Sequence, residues 1–164
     1  VSHHSVKTLL QDVAKSLSDK IQFGYGRRSE FNMIANKRYP YIWLLPLSAS
    51  RQFRGDNNPT KTKTWNVALV FLDLDAPDAN EKQSEVILDR MDVYVDKYLM
   101  ALDEWYQRST DIIGAMTLAN DSQSPFYKDD ADGNTGWLLT FTMEVSDDFL
   151  YCTDENIALY AGNI

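Results

Sequence analysis

Carboxylates are the only side chains in this chain that are both numerous and spaced for chemistry. Asp73 and Asp75 close an apolar run two residues apart, which places them on one face by strand parity, with Asp78 and Glu81 just beyond. Two carboxylates at a strand end can hold Mg²⁺ for phosphoryl transfer. The usual nuclease spacing, an acid and a lysine alternating on the next strand, is missing, and helix capping or a solvated turn accounts for the same residues. Histidine is confined to His3 and His4, so a Ser–His or Cys–His pair would have to use an end that is expected to fray. Cys152 is the only cysteine, and zinc needs several Cys or His at ligand spacing. Gly24-Tyr25-Gly26 is too short for a phosphate-cradling loop. Asp130-Ala131-Asp132-Gly133-Asn134 has part of a calcium-loop pattern but lacks its third acid and its closing Glu, so a turn ahead of a strand is expected. Arg54-Gly55-Asp56 spells an adhesion tripeptide that chance supplies in a polar loop. The expectation is a protein without catalytic residues, metal or cofactor, and not an enzyme.

Charge is the more informative pattern. The net charge of −8 is unevenly spread: residues 1–64 hold eleven Lys and Arg against four Asp and Glu, and residues 65–164 hold five against twenty. The overall acidity argues against general binding of nucleic acid, which works by neutralising phosphates. Surfaces of opposite sign can instead steer two copies of one chain together. Two features carry the asymmetry. One is a basic loop with Arg51, Arg54, Lys61 and Lys63; the other is an acidic stripe of Glu85, Asp89, Asp92, Asp96 and Asp103. Each is explained as solvated surface, or as one side of a head-to-tail contact.

The elements that must position these residues follow from periodicity. Val6, Leu9, Leu10, Val13 and Leu17 repeat at helical spacing, with Ser5 as a possible cap. Ile21 to Gly26 is a short extended piece, and Tyr39 to Leu47 reads as a strand between prolines. Residues 48–64 read as a polar loop, the tip of a long hairpin, and Trp65 to Leu74 as a central strand buried on both faces. A long helix follows Pro77, capped by Asp78 with Glu81 or by Asn80 with Gln83. On it Ile87, Met91, Tyr94, Val95, Tyr98, Leu102 and Trp105 share one arc, and the acidic stripe lies on another. Ile112 to Leu118 reads as a strand, 121–134 as a polar loop, and Trp137 to Val145 as a half-buried strand with clean alternation. Residues 151–164 have the weak periodicity of a C-terminal arm. The predicted fold is a single α+β domain over 1–164, with a core of about 5–150. An antiparallel sheet with a long hairpin is packed by the N-terminal helix and one long central helix. One cysteine excludes an intrachain disulfide and fits a reducing compartment. No apolar run approaches the roughly 20 residues of a membrane span, and no signal-peptide pattern opens the chain.

In element order and local texture the chain resembles phage neck or tail-completion proteins of the tail-terminator type. The likeness lies in the amphipathic helix Val6 to Leu17, the strand entered through Tyr39-Pro40-Tyr41, the hairpin at 48–64, the helix Glu81 to Arg108, and the closing strand after a Thr135-Gly136 turn. It covers about residues 5 to 152 in pattern rather than identity. It implies a structural virion protein, made in the host cytoplasm. Such a protein forms a homo-oligomeric ring at the head–tail neck or the end of the tail tube, and touches connector or tube proteins. DNA would pass its lumen without specific binding, and no membrane is involved. Under this resemblance the acidic stripe faces the channel or the next subunit, and the basic loop makes ring or tube contacts. Two other classes fit the same residues: an intracellular adaptor or immunity-type binding module, and a carboxylate metal enzyme.

Overall fold

The longest apolar stretch of the sequence becomes the spine of the sheet. The structure, a computed structural model, describes residues 3–53, 61–108, 116–129 and 133–147. Its elements are α1 (His3–Leu17), β1 (Gln22–Tyr25), α2 (Arg28–Asn32), β2 (Tyr41–Leu44), β3 (Ser48–Phe53), β4 (Lys61–Leu74), α3 (Glu81–Arg108), β5 (Met116–Asp129) and β6 (Asn134–Asp147). The strands lie in the order β1-β2-β4-β6-β5, and β3 pairs with the first half of β4. Pairing is antiparallel except between β1 and β2, which run parallel with α2 in their connection. The fold is α+β as expected; the parallel pair and the short α2 were not expected. Five helical residues give no periodicity to read.

Alternation along β4 divides the core in two. Trp65, Val67, Leu69 and Phe71 pack with α1 and α3, whereas Val70 and Leu72 pack with Phe31 of α2. β2 splits the same way, Ile42 and Leu44 to the large core and Tyr41 and Trp43 to the small one. The double burial expected of the whole apolar run therefore holds only at Leu69–Leu72; Asn66 is exposed and Ala68 half-buried. Burying side chains of this size stabilises by roughly 1.5–3 kcal/mol each.

α1 buries Val6, Leu9, Leu10, Val13 and Ala14, while Leu17 is half-buried. It begins at His3, before the proposed cap Ser5, because His3 has partners: its Nε2 shares a 3.0 Å hydrogen bond with the Tyr25 hydroxyl, and its ring packs beside Trp65. His3, expected to fray, is anchored. α3 spans the predicted residues, and the Asn80–Gln83 box caps it. The Asn80 N–H donates to Gln83 Oε1 at 2.9 Å and the Gln83 N–H to Asn80 Oδ1 at 3.0 Å. Tyr98, fully buried, donates its hydroxyl to the Leu10 carbonyl at 3.0 Å and ties α3 to α1.

Two expected loops are strands. Most of 48–64 is the paired arms of a hairpin, since Ser48–Phe53 matches Lys61–Asn66 residue for residue. Most of 121–134 belongs to β5, a polar strand that among the described residues pairs with β6 alone, interrupted between Ala119 and Ser122 and again between Phe126 and Asp129. A solvated edge tolerates its serines and Pro125, so hydrophobic alternation did not mark it. Thr135-Gly136 lies inside β6 rather than in a turn; the turn residue is Gly133, at φ +71°. The candidate calcium loop at 130–132, the Arg-Gly-Asp tripeptide, most of the strand read at 112–118 and the arm at 151–164 lie outside the described residues.

Candidate functional site

α3 presents two unlike faces. The inner one buries Leu88, Met91, Val95, Tyr98 and Leu102, with Ile87 and Tyr94 half-buried; Trp105, expected on this arc, is 40% exposed. On the outer face Glu85, Asp89, Asp96 and Asp103 are exposed along one flank. Asp92 differs from the rest of the predicted stripe. It is half-buried and accepts a 2.5 Å hydrogen bond from Gln123 Nε2, so it ties α3 to β5. Beside the acids runs a row that sequence reasoning missed: Val86, Val93 and Met100, seven residues apart and 63, 50 and 69% exposed. The signal was legible as a second apolar repeat beside the stronger core arc. Arg90 and Lys97 lie on the other flank, with Arg90 paired to Asp73 of β4.

The basic hairpin is only partly available for contact. Arg51 is exposed on β3 and sits opposite Lys63 in register. Lys63 is half-buried, its ammonium 4.1 Å from the centre of the Trp65 ring two residues along the same strand. Lys61 pairs in register with Phe53 and Asp147. Arg54 lies outside the described residues.

The carboxylates at the end of β4 have separate partners. Asp73 takes the Arg90 ion pair. Asp75 lies just past the strand, 3% exposed, and one of its oxygens accepts from Ser84 Oγ at 2.5 Å and from Thr135 Oγ1 at 2.7 Å. Burial pushes its pKa up, but the hydrogen bonds from Ser84, Thr135 and the Ala76 N–H, with the charge of Lys128, outweigh that and hold it low. Lys128 closes the same junction by donating to the Ala79 carbonyl at 2.6 Å and the Pro77 carbonyl at 3.4 Å. This cluster seals the start of α3 onto the β5–β6 turn, a structural role that accounts for the pair. Among the described residues no group of three or more His, Cys, Asp or Glu is placed to hold a metal ion, and no helix is long and apolar enough to cross a membrane.

No protein-family model matches the sequence, and the search of curated proteins returned no match.

Proposed function

We propose that this chain is a self-assembling structural protein, a ring-forming virion component of the tail-terminator type that sits at a phage head–tail neck or tube end and leaves a channel for DNA. The observation that carries the reading is the outer face of α3. Three large apolar side chains in a line, at 50–69% exposure, sit beside a row of four exposed carboxylates. An apolar row of this kind lowers its free energy by docking, and the acids beside it restrict which surface docks there. The charge asymmetry of the sequence and its likeness to tail terminators supply the kind of partner: copies of the same chain, one presenting acid and the next presenting base. An acidic ring interior also suits DNA passage, because a basic one would hold the phosphates.

Light scattering after size exclusion, at low and high salt, with negative-stain imaging of the same fractions, tests the reading. A closed ring whose population falls as salt rises is the expected result. A chain that stays monomeric at every concentration and salt, and captures a single unlike partner instead, overturns it in favour of an adaptor module.

A further inference from the structure

The sheet separates two segments of opposite charge. Strand parity places α3 on the face shared by Leu69 and Phe71, and the segment 27–38, with α2, on the face shared by Val70 and Leu72. Residues 81–108 hold seven acids against four bases; residues 27–38 hold Arg27, Arg28, Lys37 and Arg38 against Glu30 alone. The basic side also carries unburied apolar groups. Met33, at the C-terminus of α2, is 83% exposed. Leu74, which shares the parity of Leu72, is 51% exposed and lines a shallow depression with Ile34 and Tyr39. α3 and the segment 27–38, on opposite sides of the sheet, thus each pair exposed apolar groups with a surplus of one sign, and the signs are opposite.

We infer that the α3 face of one copy docks on the α2 side of a second copy of this chain, front to back through opposite faces of the sheet. This rests on the self-assembly reading and refines it, moving the counter-charge from the hairpin to Arg27 and Arg38. Both arginines are exposed, whereas Lys63 of the hairpin is half-buried under its contact with Trp65. The layout of α3 also disfavours an antiparallel pairing of α3 with itself. Glu85, Asp89, Asp96 and Asp103 occupy one flank of the apolar row and Arg90 and Lys97 the other, so such a pair would set acid against acid. A contact between two different patches does not stop at two copies; it closes into a ring when the step between copies carries a suitable rotation.

A charge exchange tests this. Arg27→Glu/Arg38→Glu makes the α2 side acidic, and Asp89→Lys/Asp96→Lys makes the α3 face basic. All four positions are exposed, so both variants should melt like the wild type. Each alone should assemble roughly tenfold or more weakly, because like charges then meet across the contact. An equimolar mixture should recover the wild-type mass, since each variant supplies the sign that the other needs. Three results would overturn the inference. If Arg51→Glu blocks assembly while Arg27→Glu/Arg38→Glu does not, the hairpin is the counterpart and only the self-assembly reading survives. If only α3 substitutions matter, and mixing rescues nothing, α3 pairs with itself. A wild-type chain that never leaves the monomer removes both readings.

Discussion

At the scale of single residues, the chain uses acids for two unrelated purposes, and burial tells them apart. Asp75 is enclosed and its negative charge is satisfied by two hydroxyls and a backbone N–H, whereas Asp89 and Asp96 are left to solvent. The sequence offers Asp73 and Asp75 as an equivalent pair, because parity within a strand says nothing of what each side chain meets. Arg90, Ser84 and Thr135 are 17, 9 and 60 residues away, and only the fold makes them neighbours. A folded pKa held below the unfolded value adds stability that is complete above the unfolded pKa and is lost as pH falls through the folded one. Asp75→Asn should therefore cost about 1–3 kcal/mol near neutral pH, the scale of a hydrogen bond to a charged group. The difference between the two proteins should shrink as pH drops below about 4, the ordinary carboxylate range, and continue to fall through the lower folded value. Urea unfolding of both proteins across that range measures it. A gap that stays constant on acidification would mean that the charge of Asp75 contributes nothing.

At the scale of elements, legibility follows from how strongly burial imposes a period. α3 is legible as one long helix because its buried arc repeats over many turns, and the Asn80–Gln83 box, one of two caps that the sequence offers, marks its start. β6 was readable because Leu139, Phe141, Met143 and Val145 alternate against solvent-facing neighbours. β5 and β3 escaped because strands at the margin of the sheet bury little and so need no apolar alternation. The acidic stripe was found by its own spacing, yet Asp92 turned out to belong to the β5 contact, since a wheel shows direction and not what lies there. The β4–β6 pairing, fourteen residues long, also holds a constraint that no periodicity exposes. A Cβ on Gly136 would lie 1.8 Å from the Phe71 carbonyl oxygen and 2.9 Å from the Leu72 Cα, both backbone atoms of the neighbouring strand. Gly136→Ala must push β6 away from β4 where the two enclose the core. It should cost about 3 kcal/mol or more, at the upper end of overpacking effects. That corresponds to a melting temperature lower by roughly 6–12 °C for a domain of this size. An unchanged melting temperature would show that the strands can part there freely.

At the scale of the whole molecule, the exposed row on α3 and the net charge of −8 pull in opposite directions, and the balance sets how assembly responds to salt. Under the proposed self-assembly, charge repulsion between copies would keep the chain dispersed, local attraction between α3 and a basic patch would bring copies together, and burial of Val86, Val93 and Met100 would retain them. The charge contributions are screened once ions shorten the Debye length to about 10 Å at 0.1 M salt, whereas the apolar contribution is not. Salt should therefore weaken wild-type assembly only in part. Met100→Asp separates the two contributions. The side chain is 69% exposed, so the substitution should leave the melting temperature within about 1–2 °C of the wild type. It removes the largest apolar group of the row and adds one more acid, so native mass should fall at any given concentration. The assembly that remains, held by charge alone, should dissolve in salt that the wild type survives. Scattering mass measured over a salt series for both proteins distinguishes the cases. If Met100→Asp keeps the wild-type mass throughout the series, the row on α3 faces solvent in the assembled state, and contacts between copies must lie on another side of the sheet.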